Sequence, residues 1–165
     1  MPLFPAFLDL SASAVLIVGE GAEADRKTEK MRPFCAMLLR SAYPPEYDER
    51  PALVFLTEKD HPDNEALAAH FRCQGIPVNV ADQPELCDFR FPSLITKGDL
   101  SIGIATDGRA PALSALLRQR IESTLPDDLE AILATAAALT AQLRETIPDQ
   151  HERARILRRE LQKLL

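Results

Sequence analysis

The chain has no excess of positive charge. Nineteen Lys and Arg stand against 25 Asp and Glu, giving a formal net charge of −6 and a pI near 5.1. A nucleic-acid partner calls for a basic face that neutralises phosphates, so this class of function is disfavoured. A long apolar run is also missing. Stretches such as Ala14–Val18 and Ala131–Leu139 fall well short of the ~20 residues that cross a bilayer. No basic segment precedes the apolar residues of the N-terminus, so no signal peptide is expected and the cytoplasm is the expected compartment. Cysteine is scarce: Cys35, Cys73 and Cys87 form an odd set with no CxxC pair, as expected of reduced thiols rather than a disulfide framework. His61, His70 and His151 lie far apart, and none has metal-ligand spacing to a cysteine, so no residue is assigned to a metal. Internal repeats and low-complexity tracts are absent. What is present is apolar content, 46% of 165 residues. That is enough to bury the core of one domain, or of one domain with a helical appendage.

The first half alternates strand and helix signals. Ala14–Val18 is a wholly apolar run, as expected of a strand buried on both faces. A glycine-rich turn follows, then a charged stretch, Ala22–Met31, that reads as a surface helix ended by Pro33. Cys35–Leu39 and Ala52–Thr57 are further buried strands, separated by a proline-rich loop, Ala42–Pro51. Pro62–Phe71 has helical spacing with Asn64 as a cap, and Ile76–Ala81 is a fourth strand. Strands alternating with helices imply parallel βαβ units. Beyond Pro84 the character changes. Phe89–Leu94 and Leu100–Ala105 read as short strands or arms. From Pro111 the pattern is helical, in three helices broken at Pro126 and Pro148, with Leu113, Leu116 and Leu117 core-facing by spacing. The expected divisions are 1–88, a Rossmann-like α/β domain with a truncated parallel sheet; 89–110, a small β arm for dimerisation; and 111–165, a helical domain.

Gly19-Glu-Gly21-Ala-Glu-Ala24 fits G-x-G-x-x-A, directly after a predicted strand and opening a predicted helix. In that context the pattern means dinucleotide binding. The glycines allow a tight turn and close approach to a pyrophosphate. The helix N-terminus offers free N–H groups and the positive end of its dipole. Glu20 and Glu23 put two negative charges on the same turn, which opposes an anion. The second strand ends Leu39-Arg40-Ser41, where an Asp or Glu would meet a ribose hydroxyl. Arg40 suits a 2′-phosphate there, or is an ordinary surface arginine. The short Ala42–Pro51 connection cannot hold both a helix and an extra strand, so the nucleotide-binding half is abbreviated.

Pro5-Ala-Phe-Leu-Asp-Leu10, Val15-Leu-Ile-Val-Gly-Glu-Gly21 and Ala24-Asp-Arg-Lys27 resemble the opening of precorrin-2 dehydrogenases, the siroheme-synthase N-terminal module and its stand-alone relatives. A second block resembles the family in order and spacing: Asn79-Val-Ala-Asp82, Pro84-Glu-Leu-Cys-Asp-Phe89, Phe91-Pro92, Leu100–Ala105 and Pro111–Arg118. The resemblance covers nearly the whole chain except Thr28–Arg50. It implies a Rossmann domain, a dimerisation region and a helical domain in an interlocked homodimer. It also implies NAD-dependent oxidation of precorrin-2 to sirohydrochlorin, in some members with ferrous iron (Fe2+) inserted as a substrate.

On that resemblance Asp82 is the candidate catalytic acid–base, matching the Asp of N-V-x-D. A carboxylate can take a proton as hydride leaves a macrocycle, or pyrrole protons during metal insertion. The plainer reading is a turn residue helped by Pro84. Candidate dinucleotide-binding residues are Gly19, Gly21, Ala22, Glu23, Ser41 and Thr57. Candidate substrate-binding residues are Asn79, Thr106, Arg109 and Arg118. A tetrapyrrole bearing eight carboxylates needs basic side chains, and Arg26 and Lys27 join Arg109 and Arg118 as candidates because such groups pair with carboxylates. Asp107 and Ala110 depart from the family's loop. Cys87 reads as a small core residue. Two alternatives stay open: a cofactor-free homologue that binds a tetrapyrrole or a partner protein without redox chemistry, and a variant that only inserts iron.

Overall fold

The computed structural model describes residues 3–164. It divides into two compact units, residues 3–91 and 92–164.

The first unit is a parallel α/β sheet of strands β1 (Leu10–Val18), β2 (Cys35–Ser41), β3 (Pro51–Leu56) and β4 (Val78–Val80), in the order β2-β1-β3-β4. Helices α1 (Gly21–Met31) and α2 (Asn64–Cys73) cover its two faces. Alternation along a strand divides the core. Leu16, Val18, Val54 and Leu56 point to the α2 side with Ala68, Phe71 and Ile76. Val15, Ile17, Leu53 and Phe55 point to the α1 side with Ala24 and Met31. That is why the central strands read as continuous apolar runs: both faces are buried. Phe89 and Phe91, expected to open a strand, instead pack edge-on against Phe55 at ring-centroid distances of 5.3 and 5.7 Å. Each such pair contributes about 0.5–1.5 kcal/mol beyond burial.

The abbreviation expected after β2 is present. Residues 42–50 carry the chain from the end of β2, past β1, to the start of β3. That path spans roughly 20 Å of strand length and 10 Å of two strand spacings. An extended chain of this size reaches about 30 Å at most. A helix rises only about 1.5 Å per residue, so none fits in the crossover.

Two expectations are corrected here. The first strand begins at Leu10, not Ala14, because the more exposed residues 11–13 extend the strand ahead of the apolar run. Asn64 is not a cap but the first residue of α2, fully buried; Asp63 is the N-cap and makes no side-chain cap bond.

The second unit holds a hairpin of β5 (Ser93–Lys97) and β6 (Leu100–Ile104), antiparallel, followed by α3 (Pro111–Glu122), α4 (Leu129–Thr146) and α5 (Gln150–Leu161). The first arm therefore begins at Ser93, four residues later than its sequence suggests. The hairpin turn is clamped from two sides: Lys97 Nζ donates to the Pro126 carbonyl at 2.5 Å, and Gly98, at φ +56°, lies so close to Glu130 that a Cβ there would stand 2.9 Å from its Cγ. Asp149 caps α5 by accepting from the Glu152 N–H at 2.9 Å. Leu113, Leu116 and Leu117, expected in the core, are 50%, 63% and 39% exposed. Helical spacing identifies a stripe but not what covers it. The side of α3 that is buried within this unit is marked by Ser114, hydrogen-bonded to Thr106.

Candidate functional site

The chain leaves β1 toward β2 on one side, while β3 lies on the other. Ligands of open parallel sheets bind where the order reverses in this way, outside the carboxyl ends of the strands. The glycine turn stands at that point. Gly19 N–H donates to the Ser41 carbonyl at 2.8 Å, and Thr57 N–H donates to the Val18 carbonyl at 2.9 Å. The Thr57 hydroxyl donates to the same carbonyl at 2.8 Å. Gly19, Gly21, Ala22, Glu23, Ser41 and Thr57 are thereby brought to one end of the sheet.

The two glycines serve different needs. Gly19 has φ +112°, and a Cβ would sit 2.5 Å from Thr57 Oγ1 and 3.0 Å from Glu58 Cγ. Gly21 has φ +78°, and a Cβ would meet nothing within 4 Å. The space beside the start of α1 is therefore open. The N-cap of α1, Glu20, makes no side-chain cap bond. The N–H groups of the first helical turn have no intrahelical partner and face the positive end of the helix dipole, the arrangement that holds a pyrophosphate. On these grounds the residues present fit the phosphates of a dinucleotide.

Glu23 is engaged by basic residues of its own helix. It takes a paired hydrogen bond from Arg26, at 2.8 and 2.7 Å, and lies 3.8 Å from Lys27 Nζ. Arg26 is committed to the same pair, and Lys27 is corrected as a tetrapyrrole ligand. Its side chain is only 10% exposed, and its ammonium lies 5.1 Å from the Phe55 ring centre and 4.7 Å from that of Phe91. Burial pushes its pKa down to about 8, against the pull of Glu23.

Asp82 follows β4 with φ +57°, an uncommon backbone for a non-glycine residue that Asp tolerates better than most. Its carboxylate is exposed, 4.0 Å from Lys59 Nζ. Asn79, expected to meet substrate, is buried. Its Nδ2 donates to the Phe89 carbonyl at 3.0 Å, so the amide fastens the segment that follows β4 to the strand. The Cys87 thiol belongs to the same fastening: its sulfur accepts from Val80 N–H at 3.1 Å. In the second unit, Thr106 and Arg109 share the loop before α3. Thr106 bonds Ser114 at 2.9 Å, the Arg109 side chain is 85% exposed, and Arg118 pairs with Glu122 at 2.5 Å.

Two residues, Asn64 at the start of α2 and Glu58 just beyond β3, were not legible as site residues. Asn64 joins three loops: Nδ2 donates to the Glu58 carbonyl at 2.9 Å and to Gln83 Oε1 at 2.8 Å, while Oδ1 accepts from Tyr43 at 2.8 Å. Tyr43 is stacked on His61 at 3.8 Å, and burial raises its pKa to about 12. Glu58 leans over Gly19, with Oε1 3.3 Å from where a Cβ would be. Its place directly after Thr57, at the end of a central strand, was the available signal. Among the described residues no group of three or more His, Cys, Asp or Glu is arranged to hold a metal ion, and no helix is long and apolar enough to cross a membrane.

Comparison with known proteins adds a family. Residues 35–93 match the family model described as "Putative NAD(P)-binding", and residues 97–124 match that described as "Sirohaem biosynthesis protein central". Siroheme synthase of Thioalkalivibrio sulfidiphilus is 32% identical over 191 residues, covering 98% of this chain and 38% of that protein. Siroheme synthase of Psychrobacter sp. (strain PRwf-1) is 29% identical over 170 residues, covering 90% of this chain and 35% of that protein. The chain thus spans little more than a third of these relatives' length. Among solved structures, the precorrin-2 dehydrogenase SirC superposes with a TM-score of 0.68 at 16% identity, covering 95% of this chain and 88% of that one. That likeness speaks for the fold. Taken with the glycine turn at the switch point, these matches mean that the chain belongs to the siroheme-synthase N-terminal-module family, with a shortened Rossmann region.

Proposed function

We propose that the chain is a precorrin-2 dehydrogenase-like module of siroheme or cobalamin synthesis, which oxidises precorrin-2 to sirohydrochlorin with a nicotinamide dinucleotide. The observation that carries this is the open, uncapped turn beside Gly21 at the switch point of the sheet, in a chain whose relatives are siroheme synthases. The oxidation removes one hydride and one proton from the macrocycle. Bound at the turn, the nicotinamide supplies the hydride acceptor. The N–H groups of Gly21, Ala22 and their neighbours hold the phosphates, and Thr57 keeps the turn closed against β3. The exposed Asp82 carboxylate, 4.0 Å from Lys59 Nζ, accepts the proton. Arg109 and Arg118 supply donors for the carboxylates of the tetrapyrrole. The assembly we propose is a C2 homodimer in which the segments of residues 89–105 pair or swap, since a two-stranded hairpin leaves its own edges open.

A second reading is favoured by a particular observation. Glu58 leans over Gly19, and Glu20 holds the N-cap position of α1 without making a side-chain cap bond, so two acidic residues flank the glycine turn. A homologue that binds a tetrapyrrole or partner protein without redox chemistry would tolerate them.

The test is anaerobic conversion of precorrin-2, followed by absorbance, with and without dinucleotide and Fe2+. Asp82→Asn keeps the shape and removes the base. It is expected to lower turnover by roughly 10²–10⁴-fold with little change in melting temperature. An active wild type with an equally active variant removes the assignment of Asp82. An inactive wild type that still binds sirohydrochlorin moves the chain to the second reading.

A further inference from the structure

We propose that the dinucleotide site selects the 2′-phosphorylated form, NADP+ over NAD+, and that Arg40 is the selecting residue. The proposal rests on the dinucleotide reading above and adds which member of the class the site takes.

In a sheet of this winding, the end of the strand beside β1 meets the adenosine ribose. A carboxylate there accepts from the 2′-hydroxyl and repels a 2′-phosphate, whereas a guanidinium does the reverse. Here β2 pairs Arg40 with Ile17 and Ser41 with Val18, the last two residues of β1, and the strand end carries no acid. Arg40 is not a side chain splayed into water. Its Nη1 donates to Thr28 Oγ1 at 2.8 Å and to Asp25 Oδ1 at 3.1 Å. Its Nη2 reaches the Gly19 carbonyl at 3.4 Å. These contacts hold the guanidinium on the rim of the glycine turn, between β2 and the first turns of α1. Nε has no hydrogen-bond partner among the described residues, and the side chain is 36% exposed. A planar fork held by one end, with an N–H donor left on its open edge, is prepared for the bidentate grip that a phosphate offers.

Asp25 is the opposing group. It is 71% exposed and meets Arg40 through a single oxygen, so its pair is a weak surface contact. A phosphate dianion presents more charge and more acceptors to the same guanidinium, but must approach past this carboxylate. Two opposite substitutions follow. Arg40→Ala removes the selecting charge, and Asp25→Asn removes the competitor while keeping a side chain of the same size.

Isothermal titration of the full chain with NADP+ and with NAD+ reads the preference as a ratio within each variant, which general loosening of the turn does not change. Wild type is expected to favour NADP+ by roughly 10–100-fold, the range of a charge-assisted hydrogen-bonded pair. Arg40→Ala is expected to bring the two within about threefold of each other. Asp25→Asn is expected to tighten NADP+ and leave NAD+ unchanged. If Arg40→Ala does not fold, the Asp25→Asn arm carries the test. Equal affinities, tighter NAD+ binding, or a preference that survives Arg40→Ala overturns the proposal and leaves the dinucleotide reading standing. Failure of both dinucleotides to bind the wild type removes that reading, and the proposal with it.

Discussion

Lys27 is a charge held where water hardly reaches, and replacing it by methionine should make the protein more stable at neutral pH. The side chain lies beneath Phe91 and against Phe55, and burial lowers its pKa from 10.5 to about 8. Between these values the unfolded chain binds more protons than the folded one, so stability rises as the pH rises through that window. Below pH 8 the full cost of the buried charge is present. The gap corresponds to about 3 kcal/mol. The ring contacts favour the charged form and return about 0.5–2 kcal/mol of it, leaving a net cost of about 1–2.5 kcal/mol. Methionine keeps the length and the apolar stem and removes the charge. For a chain of this size 1 kcal/mol moves the melting temperature by about 2–4 °C, so Lys27→Met should melt about 2–10 °C higher at pH 7. The advantage should shrink steadily toward pH 10.5, where the lysine is largely neutral in the folded state. Thermal melts followed by circular dichroism at four or five pH values measure this. A difference that stays constant with pH, or a variant less stable at pH 7, would refute the account of Lys27 as a buried cation without a ligand.

Gly19→Ala should destabilise the protein by about 1–3 kcal/mol, from a positive φ combined with a steric clash. The Cβ would stand 2.5 Å from Thr57 Oγ1, and dinucleotide binding should be lost in the same variant; calorimetry and a denaturation curve check both. Asn64→Leu fills the space but strands Tyr43 Oη, the Glu58 carbonyl and Gln83 Oε1, which should lower stability by about 2–4 kcal/mol in urea titrations, whereas Asn64→Asp, which keeps the acceptor for Tyr43, should cost less at low pH than at neutral pH.

The sheet was legible because its physics is local. Strands buried on both faces announce themselves as apolar runs, and a glycine pair between a strand and a helix announces the switch point. The ends of elements were less so. Phe89 and Phe91 have the composition of a strand, yet their rings are used against Phe55 on the far side of the sheet, a contact no local window contains. Asn64 sits where a cap belongs, one residue from the true N-cap, but its amide is occupied by three loops that approach only when the sheet is assembled. Lys27 follows the charged pattern of a surface helix, and only the packing of Phe91 over it reveals burial. Leu113, Leu116 and Leu117 share one helix face, as their spacing predicts, but that face is exposed rather than core, because which face a neighbour covers depends on the hairpin, whose side of α3 is marked by the small residue Ser114.

The missing strand–helix unit shapes the site as well as the fold. A full domain of this winding places another strand outside β2. Here β2 is the edge, and its outer residues are partly exposed, Met37 among them. The crossover that replaces the unit turns at once toward the other side of the sheet, where Tyr43 stacks on His61 and bonds Asn64. Its first residues are tied back to β2, with Glu46 N–H donating to Ser41 Oγ at 2.9 Å. The wall that would embrace an adenine on the β2 side is therefore reduced to the strand end itself. On the proposed dinucleotide reading, with little apolar surface to bury there, affinity would come from the phosphates: the N–H groups at the start of α1 for the pyrophosphate, and the guanidinium of Arg40 for a 2′-phosphate. A site built in this way gains more from an added phosphate than a fully walled one does, and unphosphorylated NAD+ should bind it weakly.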